Sequence, residues 1–349
     1  MASDATPEPA MSSRAALVDF FSRSLTAFQS SRDAFRVVCT LSRRRGHDDT
    51  TAATTTTTPV PQPPRRRVSS LVVLDSSFNP PTLAHLRMAV SAVRDLRRSG
   101  HGDAGSREEA SAVRLLLLLA VNNADKKPQP AAFPVRLGMM HAFAQDLLDE
   151  LRAAAPSLAK GDGEPQEEED NEMEVDLGLT MMPYFHDKSQ AISDAGFYAV
   201  DGEGPEQVYL AGYDTLVRIF NPKYYNASAA LPSPSGSGDV DGGVAPIRRA
   251  LDPFLERSRL RITMRADDEW GSEADQVAHL ERLRNGGLEE VGGRTAWAER
   301  VEMVRGLGEV VSSTRVRRAA KERDEEALGR LVGARVKEWV LGEGLYHEE

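Results

Sequence analysis

The sequence predicts an α/β protein built on a doubly wound, Rossmann-like parallel sheet. Two observations lead to this prediction: short, wholly apolar runs recur along the chain, and segments with helical periodicity separate them. Such a run is typical of a strand that is buried on both faces. In a sheet made by strands that alternate with helices, the ligand binds at the carboxyl ends of the strands.

Each element follows from its own pattern. The predicted strands lie at residues 71–74, 113–121, 208–211, 260–264 and 301–304. The predicted helices are one with the face Leu83, Leu86, Val90 and Val93, which ends near Gly100, and three more around 136–148, 313–323 and 335–341. A further amphipathic pattern, from Leu17 to Phe35, predicts a helix that packs on the main domain.

Low-complexity segments divide the chain. We expect an N-terminal amphipathic helical segment over residues 1–50 and a linker rich in Thr, Pro and Arg over 51–67. The main domain then covers residues 68–349. It carries two disordered insertions, an acidic one near 155–176 and one rich in Ser, Gly and Pro near 228–245.

Charge and cysteine content limit the function classes. Nine of the carboxylates lie between residues 161 and 176 without any Lys or Arg, so a net charge of −10 leaves the rest nearly neutral. This predicts no nucleic-acid partner. Cys39 is the single cysteine, and the longest apolar run, 115–121, is too short to span a bilayer. We therefore expect no membrane association and a location in the cytoplasm, the nucleus or both.

The most informative stretch runs from Leu71 to His85. A buried strand leads into Ser76 and Ser77, two prolines follow, and a helix is expected to begin near Thr82. Backbone N–H groups, the positive end of a helix dipole and the His85 imidazole would then meet at one point, which suits a polyphosphate. The alternative is a proline-rich turn with a core histidine, and the length of the whole pattern favours the phosphate site.

A second candidate site lies at residues 310–318. Three hydroxyl side chains stand where a helix needs a cap, and Arg315, Arg317 and Arg318 follow in its first turn. An ordinary Ser/Thr cap explains the hydroxyls. It does not explain the arginines, because the helix dipole favours acidic residues there. The segment therefore predicts an anion site.

Both segments resemble motifs of the nicotinamide mononucleotide adenylyltransferases. Residues 77–85 resemble that family's GSFNPxTxxH signature, its form of the HxGH nucleotidyltransferase motif. Residues 311–317 resemble its closing ISSTxxR motif, and residues 211–216 its GxDxL stretch. The likeness covers about residues 70–346 in the same order. The sequence resembles a divergent fungal-type branch of the family more than its central members.

The resemblance implies transfer of a nucleotidyl group from ATP to a phosphate-bearing acceptor, with nicotinamide mononucleotide as acceptor and NAD as product. Mg²⁺ would be carried by the ATP phosphates. The implied catalytic residues are His85 and Arg317. The implied ATP-binding residues are Ser77, Phe78, Thr82, His85, Lys126, Ser313, Thr314 and Arg317. The implied substrate-binding residues are Ser76, Ser77, Gly212, Asp214, Tyr225 and Arg265.

Three departures from the family pattern concern the acceptor. Ser76 replaces the family's glycine, Tyr225 stands in place of a tryptophan, and the family's tryptophan-bearing segment is not visible at residues 178–188. Two alternatives therefore stay open. One is a cytidylyl- or adenylyltransferase with another phosphate acceptor, and the other is a nucleotide-binding regulatory protein with weak ATPase activity.

Overall fold

A seven-stranded sheet forms the centre of the computed structural model, which describes residues 10–42, 60–99, 112–121, 131–153, 173–225, 244–265, 270–306 and 310–347. The strands are β1 (Phe35–Ser42), β2 (Val68–Asp75), β3 (Ala112–Ala120), β4 (Glu174–Thr180), β5 (Glu206–Gly212), β6 (Ser258–Thr263) and β7 (Val301–Val304). Their spatial order is β1-β4-β3-β2-β5-β6-β7. Strands β2 to β7 are parallel, and β1 is antiparallel to β4.

Helices cover both faces of this sheet. They are α1 (Ala10–Gln29), α2 (Leu83–Ser99), α3 (Phe133–Ala153), α4 (Phe185–Asp194), α5 (Tyr213–Ile219), α6 (Pro246–Arg257), α7 (Glu273–Arg282), α8 (Leu288–Glu290), α9 (Ser313–Glu322), α10 (Glu325–Leu331) and α11 (Ala334–Gly342). Helices α1, α2, α3, α9, α10 and α11 contribute to the core on one face, and α4 to α8 to the core on the other. The predicted doubly wound α/β fold is confirmed. Within the described ranges, no helix is long and apolar enough to cross a membrane.

The strand order reverses at β2, and this reversal positions the site. Strands β3 and β4 lie on one side of β2, and β5, β6 and β7 lie on the other. Leu71, Val72 and Val73 are fully buried because helices cover both faces of this central strand. The carboxyl end of β2, at Asp75, therefore opens into the crevice where ligands bind in such sheets.

The N-terminal segment differs from the helix expected up to Phe35. Helix α1 ends at Gln29, and Phe35 instead begins β1 at the edge of the sheet. The run Phe-Arg-Val-Val-Cys-Thr-Leu-Ser is rich in β-branched residues, which favour a strand once a partner such as β4 is available. Helix α1 packs on α3 as expected of an amphipathic helix, with Phe21 and Phe28 fully buried.

The acidic insertion ends earlier than its charge pattern suggests, because β4 begins at Glu174. The expectation that Asp176 is a solvated residue of this insertion is wrong, since Asp176 is fully buried. Strand β4, which carries Asp176, pairs with β1 on one side and with β3 on the other. Arg114 of β3 neutralises the charge of Asp176. The rest of the predicted acidic insertion up to residue 172, residues 228–243 of the second insertion and residues 51–59 of the linker lie outside the described residues.

Candidate active site

The first motif forms a tight turn between β2 and α2. Strand β2 ends at Asp75, Phe78 has a positive φ of 45°, and the Asn79–Pro80 peptide bond is cis. Helix α2 begins at Leu83, so His85 lies in its first turn, as the sequence predicts. The Phe78 side chain is fully buried and lies against His85, with ring centroids 5.7 Å apart. The sequence assigned Phe78 to ATP binding, but its side chain supports His85 from the core instead of lining the cleft.

Hydrogen bonds determine which nitrogen of His85 carries the proton. The backbone N–H of Thr82, which can only donate, donates to His85 Nδ1 at 3.0 Å. Nδ1 of the neutral ring is therefore the acceptor, and Nε2 carries the hydrogen. Nε2 lies 3.1 Å from Ser76 Oγ, to which it donates. The imidazole thus presents an N–H donor at the carboxyl end of β2.

Burial keeps His85 neutral. Desolvation lowers the pKa of His85 from 6.5 to about 4, because burial disfavours the charged form of an imidazole. Near neutral pH the side chain is therefore a hydrogen-bond donor without a charge. Residues of this type at a cleft are candidates for interaction with a developing negative charge.

Helix α9 brings the second motif against the first. Ser312 caps the helix by accepting a hydrogen bond from Arg315 N at 3.3 Å. Ser313 Oγ donates to Pro80 O at 2.8 Å, and Arg317 Nη1 donates to Asn79 O at 2.9 Å. The positive end of the α9 dipole, its hydroxyls and a guanidinium therefore lie beside the His85 turn, as an anion site requires.

The C-terminal residues fasten the same turn, which sequence reasoning did not find. Tyr346 is buried, and its hydroxyl donates to Asn79 Oδ1 at 2.8 Å. Asn79 is itself 1% exposed, so its side-chain oxygen depends on a protein donor. Tyr346 and Arg317 therefore hold Asn79 from its side chain and its backbone.

Replacing Tyr346 by phenylalanine is expected to lower the free energy of unfolding by about 1–3 kcal/mol, because it leaves the buried Asn79 oxygen without this donor. Urea titration monitored by circular dichroism measures the change. Tyr224→Phe is the matched control, since the Tyr224 hydroxyl has no hydrogen-bond partner within the described ranges and should change stability little. Equal effects of the two substitutions would contradict a fastening role for Tyr346.

An acidic residue and two arginines lie on the opposite side of the cleft. Arg265 Nη2 and Nε donate to Asp214 Oδ1 at 2.8 and 3.1 Å, and Arg218 Nη2 donates to Oδ2 at 2.6 Å. A Cβ at Gly212 would come within 2.8 Å of Asp214 Oδ1, so any larger residue would push this carboxylate out of its present position. The predicted residues Gly212, Asp214 and Arg265 thus form one cluster.

Three aromatic rings line the same cleft as this cluster. Tyr184 and His186 stack with centroids 5.7 Å apart and planes at 8°, and His186 lies 5.5 Å from the ring of Tyr225. The Tyr225 hydroxyl donates to Ile219 O, which fixes the ring. Burial lowers the pKa of His186, and the nearby Asp187 opposes this shift. The sequence found Tyr225 but not the Tyr184–His186 stack, which follows β4.

One cleft at the carboxyl ends of the strands joins these parts. Its volume is about 1310 Å³, above the roughly 300–1,000 Å³ of a pocket for one small ligand. The predicted site residues that line it are Ser76, Ser77, Thr82, His85, Gly212, Asp214, Tyr225, Arg265, Ser313, Thr314 and Arg317. Lys126, the remaining predicted ATP ligand, lies outside the described residues.

Positive charge dominates this cleft. Among the described residues, two carboxylates line it, those of Asp75 and Asp214. The cationic side chains that line it are Arg87, Arg136, Lys188, Arg218, Arg261, Arg265, Arg305 and Arg317. Although the chain as a whole is acidic, such a cleft concentrates anionic ligands.

Three of these cations, Arg136, Lys188 and Arg261, are buried and were not found from the sequence. Burial lowers the pKa of Arg136, and the neighbouring Arg317 guanidinium lowers it further. Lys188 shares a helical face with Phe185 and Ile192, at the i, i+3 and i+7 positions of α4. A lysine within an apolar stripe is the signal that could have identified it.

The described residues do not form a protein cage for a metal ion, since no group of three or more His, Cys, Asp or Glu side chains lies within reach of one ion. The two carboxylates in the cleft are engaged by Lys188, Arg218 and Arg265.

Comparison with known proteins finds a relative in sequence and several solved structures with a related fold. A Schizosaccharomyces pombe protein, provisionally named nicotinamide mononucleotide adenylyltransferase, is 30% identical over 266 residues, which are 75% of this chain and 80% of the relative. A Plasmodium falciparum nicotinic acid mononucleotide adenylyltransferase solved with NaAD is 11% identical at a TM-score of 0.41, covering 80% of this chain and 98% of its own. A provisionally named nicotinate-nucleotide adenylyltransferase of Vibrio parahaemolyticus is 14% identical at 0.39, covering 81% and 98%. No family model matches the chain.

Proposed function

Because the chain belongs to the nicotinamide mononucleotide adenylyltransferase family, we propose that it joins ATP and nicotinamide mononucleotide into NAD and pyrophosphate. The observation that carries this proposal is the convergence of His85 and the start of α9 at the carboxyl end of β2. A neutral N–H donor, a helix dipole and a guanidinium together suit the phosphates of ATP.

The reaction needs no general base. An oxygen of the acceptor phosphate, which already carries a negative charge, attacks the α-phosphorus of ATP. The bond from the α-phosphorus to the oxygen bridging to the β-phosphate breaks, and pyrophosphate leaves with the electron pair. The protein's contribution is positioning and charge neutralisation.

On the ATP side, His85 Nε2–H donates to an oxygen of the α- or β-phosphate. This oxygen replaces Ser76 Oγ as the acceptor of the hydrogen bond. Ser313, Thr314 and Arg317 hold the β- and γ-phosphates at the start of α9. Arg136 adds a second guanidinium beside Arg317, and an anion between them relieves their mutual repulsion. Thr82 fixes the His85 tautomer.

On the acceptor side, the aromatic cluster of Tyr184, His186 and Tyr225 offers a stacking surface for the pyridine ring. The cluster of Asp214 and Arg265 offers a carboxylate for a ribose hydroxyl and a guanidinium for a phosphate. The cleft volume of about 1310 Å³ accommodates more than one small ligand, as a reaction between two nucleotides requires.

Mg²⁺ is expected to enter with ATP, where it neutralises phosphate charge and supports departure of pyrophosphate. We also propose a location in the cytoplasm or the nucleus, which a sequence with a single cysteine, Cys39, fits because thiols stay reduced there.

The test is incubation of the full chain with ATP, Mg²⁺ and nicotinamide mononucleotide, followed by mass spectrometry of the products. NAD and pyrophosphate are expected in equal amounts. Turnover only with phosphopantetheine, or only with CTP and a sugar or glycerol phosphate, would contradict this acceptor and keep the reaction class. ATP binding without transfer would favour a regulatory protein, and ATP loss without a joined product would favour a hydrolase.

A further inference from the structure

A buried lysine at the floor of the cleft is not part of the motifs that define the proposed reaction. The Lys188 side chain is 5% exposed, and its ammonium donates to Asp75 Oδ2. The ammonium also lies 5.5 Å from the centroid of the Phe185 ring.

The hydrogen bonding of this lysine is incomplete. In the part of the chain that the structure describes, Asp75 supplies the hydrogen-bond partner of an ammonium that has three donors. Buried donors without partners cost free energy. Because Lys188 lines the cleft, a ligand oxygen can supply what the protein does not. The site therefore suits an anionic oxygen.

The position of Lys188 relative to His85 indicates which ligand phosphate Lys188 faces. Asp75 directly precedes Ser76, whose Oγ accepts from His85 Nε2, so both cleft groups adjoin the end of β2. Helices α2 and α9 pack on one face of the sheet, whereas α4, which carries Lys188, packs on the other. Attack on the α-phosphorus is roughly in line, so nucleophile and leaving group lie on opposite sides of it. With pyrophosphate at α9, the acceptor phosphate approaches from the α4 side.

We propose that Lys188 binds the phosphate of the acceptor nucleotide and neutralises its charge as it attacks ATP, an inference that rests on the proposed function of the cleft. Two anionic phosphates must come into contact for the new P–O bond to form, and a fixed cation beside them lowers the repulsion. Lys188 keeps its proton throughout, and pyrophosphate leaves as described above. Asp75 holds the ammonium in place before the acceptor binds.

Lys188→Met tests this role, because methionine has a similar length and no charge. Calorimetric affinity for nicotinamide mononucleotide is expected to fall about 10- to 100-fold, which corresponds to one hydrogen bond to a charged group. Affinity for ATP should stay within about twofold, and kcat should fall as well. Lys337→Met is the control, since Lys337 pairs with Glu325 away from the cleft and should leave all three quantities unchanged.

The double variant Lys188→Met/Asp75→Asn separates binding from charge balance. It removes both charges. It should therefore fold even if the single variant, which leaves Asp75 buried and unpaired, does not. If the affinity of the double variant for nicotinamide mononucleotide remains low, the proposal is supported. Recovery of wild-type affinity would show that Lys188 serves only to neutralise Asp75, and would overturn it, as would wild-type affinity in Lys188→Met. A wild-type protein that forms no NAD overturns the proposed function instead, and calorimetry still decides whether Lys188 binds the acceptor phosphate.

Discussion

An alanine in place of His85 is expected to lower kcat about 10²- to 10³-fold, with a smaller change in the KM for ATP. The reason is that Nε2–H is aimed at phosphate charge that grows as pyrophosphate leaves, so the interaction is stronger in the transition state than in the ground state. Steady-state kinetics near neutral pH, with ATP and nicotinamide mononucleotide varied separately, measure both quantities.

His85→Gln provides the matched variant. Because the pKa of His85 is lowered to about 4, the side chain acts as a neutral donor, and a neutral amide N–H can replace part of it. Glutamine should therefore recover some of the activity that alanine loses. The alanine variant should also lose about 1 kcal/mol of stability, since Nδ1 accepts from Thr82 N at the start of α2. If His85→Ala unfolds the protein while the folded fraction keeps full activity, His85 is a core histidine.

Arg317→Ala distinguishes binding from catalysis. The phosphates that Arg317 is proposed to hold are charged before the reaction as well as during it, so its loss should raise the KM for ATP more than it lowers kcat. Arg317 also donates to Asn79 O, so part of its effect passes through the His85 turn. A kcat loss as large as that of His85→Ala would show that the turn has moved.

The parts of the fold that the sequence predicts are those with a local signal. The central strand at 71–74 is wholly apolar because both of its faces are covered, and the turn to His85 is one continuous motif. These two signals, together with the rule that ligands bind at the carboxyl ends of the strands in such sheets, are enough to predict a site at the end of β2. The predicted strands correspond to β2, β3, β5, β6 and β7.

The parts that sequence reasoning missed depend on contacts between distant segments. Tyr346 reaches Asn79 across 267 positions, and Thr40 reaches Asp176 across 136. No periodicity within a window can reveal such a pair. Strand β4 was hidden because its carboxylates continue an acidic run, and their burial becomes favourable only once Arg114 is beside them.

The largest expected effect on stability concerns this hidden pair. Arg114 is 2% exposed and Asp176 is fully buried. Arg114 Nε and Nη2 donate to the two Asp176 oxygens at 2.6 and 2.9 Å, Thr40 Oγ1 donates at 2.6 Å and the Tyr198 hydroxyl at 3.0 Å. The carboxylate therefore joins β1, β3 and β4 with the segment that follows α4.

Asp176→Ala is expected to lower the free energy of unfolding by about 3–5 kcal/mol, because it leaves the Arg114 charge buried with Glu174 as its remaining acidic partner. Urea titration measures the loss. Asp33→Ala breaks the exposed ion pair with Arg36 and should cost at most about 1 kcal/mol. Arg114→Met/Asp176→Leu, which replaces both charges by apolar side chains, should recover much of the loss, since the desolvation cost disappears with them. If Asp176→Ala costs no more than Asp33→Ala, the carboxylate is solvated, as the acidic run alone would suggest, and β4 is not held in the sheet by this pair.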